Sequence, residues 1–284
     1  MKLNEIYIRD PFIYVENDTC YMVGTTDVSC WGGKAKGFYG YKSTDLENFD
    51  GPYELFKQTN KFWADENYWA PELFKYNGKY YIIASFKKEG VCRASQILVS
   101  DTPFGKYRPL NEKLTPSEWE CLDATIFEEN NELYTVFSHE WTQCSNGEIV
   151  AAKLNKDTLL IEGKPVVLFK ATSAEWVVSH NGKDYVTDGP FLYKLKSGKL
   201  LMLWSSFGKE GYALGMAISS NGIMGPWAHI DKPLFPHNGG HGMVFKFKNK
   251  LYVSLHYPNE PHLTERACFY RVREIEDRLV LCDE

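Results

Sequence analysis

Hydrophobic and polar positions along the chain alternate in short runs that are typical of β-hairpins. Each hairpin has an extended apolar run, a polar turn rich in Asn, Gly, Asp or Ser, and a second run of β-branched and aromatic residues. The pattern occurs five times, with starts 53 to 65 residues apart at Asp10, Ala70, Asp123, Asp188 and His241. No long window shows the 3.6-residue apolar period of an amphipathic helix.

A second turn signal follows the start of each of several hairpins at a nearly constant distance along the chain. It places Ser100 30 residues after Ala70, and Ser219 31 residues after Asp188, so each unit has room for about four strands. Five successive four-stranded units predict an all-β fold, a five-bladed β-propeller. The last unit carries two further strand-like runs, which predicts that the ring closes without the N-terminal strand. No linker rich in Pro, Gly or Ser divides residues 1–284, so we expect one domain.

The first position of the repeated hairpin is polar in four of the five units. Aligned on their starts, the units read Asp10, Ala70, Asp123, Asp188 and His241 at this position. The first strand of each propeller blade lines the central channel, so these side chains are expected to converge around one axis. Asp is unfavourable in strand interiors and costly to bury unpaired, which favours a functional role. A purely structural alternative is that they bind channel waters or cap turns.

Three carboxyl groups in one polar pit suit glycoside hydrolysis. That reaction needs an acid that protonates the leaving oxygen and an opposing carboxylate, about 6.5–9.5 Å away if water attacks directly. Asp10 in the first unit and Asp188 in the fourth lie across a five-fold ring. Asp123 is a neighbour of Asp188 and is expected to raise its pKa by like-charge repulsion, as a proton donor requires.

Composition narrows the other possibilities. The net charge is −5 and no run is rich in Lys or Arg, which argues against nucleic acid as a partner. No run of about 18 apolar residues and no signal-peptide pattern is visible, so we expect a cytoplasmic protein that does not bind membranes. The seven cysteines are scattered and read as reduced thiols. The oligomeric state stays open.

With these motifs in place, the chain resembles glycoside hydrolase family 43. The resemblance covers nearly the whole chain and rests on IRDPFI, YWAPELF, LDATIF, TDGPFLY and GGHGMVF. It implies an inverting, five-bladed enzyme acting on arabinose- or xylose-containing glycans. It also implies Asp10 as general base, Asp123 as the residue that tunes pKa and orientation, and Asp188 as general acid. With no binding module appended, we expect soluble oligosaccharides as substrates. Exo action is a separate expectation that depends on the loops.

One residue departs from the family pattern. The family's proton donor is usually Glu before Gly-Pro, whereas Asp188 stands at that position here, and its carboxyl is about 1.5 Å shorter in reach. Glu140 and Glu175 are lower-ranked substitutes. Two alternatives remain at this stage: a retaining enzyme like the fructan- and sucrose-cleaving propellers, and a carbohydrate-binding propeller with little or no turnover.

Several further residues are candidates for sugar or metal binding. Aromatic rings stack on sugar faces, which favours Trp69, beside the central position of its unit, and Trp31 in a glycine-rich loop. The remaining candidates for the substrate site are His139, His241, His256 and Arg266. His241 resembles the family histidine near a channel ion or water cluster, so a calcium ion there, completed by water ligands, is a further expectation. No cofactor is expected to be required.

Overall fold

A computed structural model describes residues 1–282 as five four-stranded antiparallel sheets around one axis. Blade 1 comprises β1 (Arg9–Glu16), β2 (Thr19–Thr25), β3 (Gly37–Ser43) and β4 (Asp50–Lys57). Blade 2 comprises β5 (Glu66–Tyr76), β6 (Lys79–Lys88), β7 (Val91–Ser100) and β8 (Arg108–Pro109). Blade 3 comprises β9 (Cys121–Glu129), β10 (Glu132–His139), β11 (Glu148–Leu154) and β12 (Ile161–Lys170). Blade 4 comprises β13 (Asp188–Lys194), β14 (Leu200–Gly208), β15 (Gly211–Ser219) and β16 (Ala228–His229). Blade 5 comprises β17 (Gly240–Phe247), β18 (Lys250–Tyr257), β19 (Arg266–Ile275) and β20 (Arg278–Leu281).

The predicted five-bladed β-propeller is therefore confirmed. The five first strands form a closed ring, since β1 contacts β5 and β17, while β9 and β13 complete the circuit. All four strands of blade 5 come from the C-terminal part of the chain, as the sequence predicted.

Helical structure is sparse in residues 1–282. It consists of a four-residue helix, α1 (Trp141–Cys144), and 3-10 turns at Leu3–Glu5 and Ala171–Ser173. Within the same residues, no helix has the length and apolar character needed to span a membrane.

The hydrophobic core is divided into five clusters, one between each pair of neighbouring blades. Between blades 1 and 2, for example, Phe38 and Leu55 pack with Tyr68 and Ile82, and all four are almost completely buried. The other four clusters join blades 2 and 3, 3 and 4, 4 and 5, and 5 and 1. Each blade is thus covered on both faces, so its own stability depends on its neighbours.

Two-sided burial explains why the second strands are almost continuously apolar. In β14, Leu201 and Leu203 pack towards blade 5, whereas Met202 and Trp204 pack towards blade 3. Successive side chains of a strand point to opposite faces, and here both faces are dry.

Candidate active site

Each blade carries a β-bulge at the channel end of its first strand. In blade 1, Asp10 and Pro11 lie opposite the single residue Gly24, between the pairs Arg9↔Thr25 and Phe12↔Val23. The other four blades repeat this two-against-one arrangement. The first bulge residue has a positive φ of 45° to 55° in every blade, and these residues are Asp10, Ala70, Asp123, Gly189 and His241.

The bulges correct one sequence interpretation. Asp188 does not share the repeated position of Asp10 and Asp123, because Gly189 occupies it with φ 50°. Asp188 pairs with Ser205 one residue before the bulge, where blade 1 has Arg9 paired with Thr25. The hairpin turn that follows in blade 4 is one residue longer than in the other blades.

A ring of hydrogen bonds holds the bulges of adjacent blades together. Four bulge amides donate to a side chain on the second strand of the preceding blade. The acceptors are Thr25 Oγ1 for Ala70 (2.8 Å), Ser85 Oγ for Asp123 (2.8 Å), Ser205 Oγ for His241 (2.8 Å) and His256 Nδ1 for Asp10 (3.2 Å). A left-handed backbone costs a non-glycine residue roughly 1–2 kcal/mol, and pairing an otherwise orphaned buried amide offsets about as much.

The link between blades 3 and 4 is different. The Gly189 amide donates to Asp123 Oδ2 (3.0 Å), and the Ser138 hydroxyl at the equivalent acceptor position has no hydrogen-bond partner. Gly189 is also required for space, since a Cβ there would lie 2.8 Å from the His241 ring. The carboxylate of Asp123 therefore closes the ring where a hydroxyl does so elsewhere.

The bulges open into a cavity of about 520 Å³ at one end of the channel. Bulge residues Asp10, Asp123 and His241 line it, together with the residues that precede the bulges in blades 1 to 4. Those preceding residues are Arg9, Trp69, Leu122 and Asp188. Both sets of side chains converge on one pit, so all three predicted acids face the same space.

Asp10 is surrounded by groups that favour its ionised form. Its Oδ2 accepts a hydrogen bond from Thr25 Oγ1 at 2.7 Å, and its Oδ1 lies 3.2 Å from His241 Nδ1. Burial opposes ionisation, yet His241 and Arg9 outweigh it and hold the pKa of Asp10 well below its ordinary value. Asp10 is thus a carboxylate over the whole physiological range.

Asp188 has the opposite environment. Burial and then the nearby charge of Asp123 raise its pKa to about 8, and Tyr212 donates a hydrogen bond to its Oδ2 at 3.0 Å. Burial and the charge of Asp10 likewise raise the pKa of Asp123, against the hydrogen bond from Gly189. Asp123 and Asp188 therefore titrate as a pair that retains a proton near neutral pH. Because Asp123 accepts the Gly189 amide, we assign that proton to Asp188.

Three of the predicted substrate residues line the pit: Trp31, Trp69 and His241. The two indoles meet edge to face with centroids 5.3 Å apart, and Trp69 Nε1 is fixed by the Cys30 carbonyl at 2.7 Å. Trp31 remains 57% exposed at the rim. One face of the pit is therefore aromatic, as stacking on a sugar requires.

The other three predicted residues do not line the pit. His139 stacks on Trp119 and hydrogen-bonds to Glu148 and Gln143. Arg266 hydrogen-bonds to backbone carbonyls, including that of Asn4.

His256 is fully buried beneath the pit. Its Nδ1 accepts the Asp10 amide, so its proton lies on Nε2, which donates to Asn259 Oδ1 at 3.0 Å. Burial lowers the pKa of His256, consistent with a neutral ring. It supports Asp10 from below and does not bind sugar directly.

Sequence reasoning missed several lining residues. Arg9, rather than Arg266, is the arginine in the pit; it pairs with buried Glu265 (2.5 Å) and lies 4.8 Å from the Trp31 ring. The sequence did hold a clue to Arg9, because it directly precedes Asp10 just as Trp69 directly precedes Ala70. Residues from later strands and loops had no such signal, and they include Tyr212, His180, Phe207, Asn259 and His262.

The two substitute acids differ in location. Glu140 lines the pit, whereas Glu175 is exposed and does not. Glu140 Oε2 lies 3.2 Å from Arg93 Nε. An ion-paired carboxylate has no proton to give, so Asp188 is the better proton donor.

His241 does not belong to a compact ligand cluster. In residues 1–282, three His, Cys, Asp or Glu ligand atoms come within 4.8 Å of one another only at His139, Cys144 and Glu148. The Nδ1 atom of His241 instead faces Asp10 Oδ1 (3.2 Å) and Asp123 Oδ2 (3.7 Å). A calcium ion near His241 would therefore depend on water ligands, and it stays a prediction.

A five-bladed propeller with acids of opposed pKa in an aromatic-walled pit defines the class of glycoside-cleaving enzymes. Comparison with known proteins narrows the class: the profile of "Glycosyl hydrolases family 43" matches residues 5–274. The chain belongs to this family and is a glycosidase.

Individual relatives agree with the family. An endo-arabinase from Bacteroides thetaiotaomicron is 37% identical, with a TM-score of 0.89 over 97% of this chain and 98% of that one. An α-L-arabinofuranosidase from Lactobacillus brevis shares the fold at 18% identity, with a TM-score of 0.79 over 97% and 93% of the two chains. The xylosidase/arabinosidase 43A of Humicola insolens is 27% identical over 152 residues, which are 49% of this chain and 46% of that protein.

The tight contact at Gly189 generates a prediction. We expect Gly189→Ala to displace His241, because the new Cβ would lie 2.8–3.0 Å from three ring atoms. A shift of about 1 Å in the site costs on the order of 100-fold in rate. Steady-state kcat/KM on an aryl glycoside is the measurement.

Gly198→Ala is the matched control, since it also places Ala at a positive φ (88°) but finds open space. Both variants carry the cost of a left-handed Ala, but only Gly189→Ala adds a steric clash, so Gly198→Ala should keep its activity. Equal activities of the two variants would contradict the importance of the His241 position.

Proposed function

We propose that the protein is an inverting glycosidase that removes arabinofuranosyl, xylosyl or similar pentose residues from oligosaccharides. The observation that carries this proposal is one pit in which the pKa of Asp10 is held low while burial and Asp123 raise that of Asp188 to about 8. Inverting and retaining glycosidases both need one ionised and one protonated carboxyl group, and inversion is proposed from the resemblance to the family. The names of the relatives, an endo-arabinase, an α-L-arabinofuranosidase and a xylosidase/arabinosidase, support a pentose substrate.

In the proposed reaction Asp10 removes a proton from the attacking water and Asp188 protonates the leaving oxygen. Asp123 holds the Gly189 amide and, through its charge, favours the protonated form of Asp188. Tyr212 orients the Asp188 carboxyl through its hydrogen bond to Oδ2. Asp188 is thereby fixed in place, which supports it as a proton donor although its side chain is short.

Exo action is supported by the walls of the pit. Loops from blades 1, 3 and 5 supply Trp31, Trp141 and His262, and the connection before blade 4 supplies His180. Blade 2 contributes only Trp69 to the lining, and its β6 and β7 are joined by a two-residue turn. A pit with a single lining residue on one side suits a chain end, with the rest of the oligosaccharide leaving over blade 2.

A substrate panel tests the proposed function. We expect turnover of at least one arabinofuranosyl, xylosyl or galactofuranosyl aryl glycoside. In a proton NMR time course, the first sugar product should have the anomeric configuration opposite to that of the substrate. An end-labelled oligosaccharide of the same sugar should release monosaccharide first. Retention would favour the fructan-type alternative, internal products would favour endo action, and no turnover with retained sugar binding would favour a binding module.

The role of Asp188 generates a second prediction. Asp188→Asn should lower kcat/KM by roughly 10²–10⁴-fold on substrates with poor leaving groups, the usual contribution of general acid catalysis. Substrates with a dinitrophenolate leaving group need no proton and should lose far less. The loss should be similar for both if Asp188 is not the acid.

The pH profile gives the same variant a second measurement. A general acid loses activity as pH rises through its pKa, so wild-type kcat/KM should fall above pH about 8, the raised pKa of Asp188. This basic limb should be absent in Asp188→Asn with the activated substrate. A basic limb that persists would assign the proton donor to another residue.

We also propose that no cofactor is required, since each proposed step uses side chains of the chain itself. Dialysis against EDTA should therefore leave kcat unchanged to within about two-fold. Loss of activity that calcium restores would contradict this. If EDTA lowers only the melting temperature and calcium restores it, a structural calcium ion is present.

A further inference from the structure

A buried ion pair in the wall of the pit has no role in the proposed reaction. Glu140 follows β10 in blade 3, and Arg93 lies on β7 in blade 2; their side chains are only 9% and 8% exposed. Arg93 Nε donates to Glu140 Oε2 at 3.2 Å. Burying two charges costs several kcal/mol per ion, which a single such contact does not repay through stability alone.

Glu140 lines the pit with one carboxylate oxygen that is not used in the ion pair. The residue lines the cavity beside Asp123 and Asp188, and Oε1 has no hydrogen-bond partner in residues 1–282. Its backbone is fixed on both sides, because its amide donates to the Glu120 carbonyl (2.8 Å) and its carbonyl accepts the Gln143 amide (3.0 Å). A fixed, partly buried acceptor therefore faces the space where a sugar would lie.

Arg93 connects this acceptor to the aromatic wall. Its guanidinium carbon lies 3.8 Å from the centroid of the Trp69 ring, which itself lines the pit. Arg93 does not line the pit, and its Nη1 is buried without a partner. It therefore touches both the stacking surface and the acceptor from behind, and fixes the distance between them.

We propose that Glu140 accepts a hydrogen bond from a ring hydroxyl of the bound pentose, and that Arg93 positions it against the Trp69 stacking face. This inference rests on the proposed function and deepens it, because it defines the substrate class as sugars that keep this hydroxyl free. A sugar that lacks the hydroxyl, or carries a substituent on it, leaves the buried carboxylate unpaired and is rejected.

A double-mutant cycle between protein and substrate tests the proposal. The substrates are the best aryl glycoside of the panel and its singly deoxygenated analogues, and the proteins are wild type, Glu140→Gln and the exposed control Glu128→Gln. Hydrogen bonds to charged groups contribute about 1.5–3 kcal/mol, so wild type should lose roughly 10- to 150-fold in kcat/KM on one analogue. Relative to wild type, Glu140→Gln should lose a similar factor in kcat/KM on the parent glycoside. Removing the hydroxyl from the substrate should then lower the kcat/KM of this variant little further.

The outcomes separate this proposal from the proposed function. If Glu140→Gln loses the same factor on the parent and on every analogue, Glu140 does not bind a specific hydroxyl, although the enzyme is still a glycosidase. If wild type turns over none of the panel, the proposed function fails. The same cycle measured as Kd by calorimetry with the free sugars then still decides whether Glu140 binds the hydroxyl.

The pH profile reports a second effect of Glu140, that of its charge on the two neighbouring acids. The charge of Glu140 contributes to the raised pKa of both Asp123 and Asp188. Removing it should shift the basic limb of kcat/KM to lower pH in Glu140→Gln and leave it unchanged in Glu128→Gln. Complete loss of the basic limb would instead make Glu140 the proton donor and overturn the proposal.

Arg93→Lys provides an independent variant if Glu140→Gln does not fold, as judged by near-ultraviolet circular dichroism. Lysine keeps the charge but loses the planar group that touches both Trp69 and Glu140. The loss should again be confined to substrates that keep the critical hydroxyl. A uniform loss across all analogues would contradict a positioning role for Arg93.

Discussion

The ring of bulge hydrogen bonds is the constraint on which both the fold and the site depend. It joins each blade to the next at the channel end, through a backbone amide and a side chain such as Ser85 or Ser205. The hydrophobic clusters between blades bring the sheets together but are non-directional. The hydrogen bonds set the register of one blade against its neighbour, and with it the position of each side chain in the pit.

The same ring determines the electrostatics of the site. Asp123 contributes its amide to one link and its carboxylate to the next, so its charge is anchored between Ser85 and Gly189. His256 contributes its ring as an acceptor and is thereby kept neutral below Asp10. Opposed protonation states of Asp10 and Asp188 follow from these fixed neighbours, since burial alone would raise the pKa of both.

The sequence predicted the fold well because the hairpin repeat is local. Alternating side chains and polar turns are encoded within about twenty residues, so the five units and their closure could be inferred directly. The position of Asp188 was misjudged by one residue because a bulge inserts a residue without changing composition. A glycine at the bulge, Gly189, and a longer turn after it hid the true alignment.

Site residues outside the first strands were harder to predict. Trp31 was found through its glycine-rich loop, but Tyr212 and His180 reach the pit only because β15 and a 17-residue connection fold towards it. Arg266 and His139 had the right chemistry, yet local hydrogen bonds hold them elsewhere. Such placements depend on tertiary packing that no period in the sequence reports.

The five bulge positions also bear on how such a site can arise by duplication. Copying one blade five times would set five identical side chains around the axis, and five carboxylates at that spacing could not all ionise. In this chain the five backbone positions carry two acids, one imidazole and two small residues. One of the small residues, Gly189, leaves room for the imidazole of His241. Duplication supplies a symmetric scaffold; the chemistry begins only where its copies have diverged.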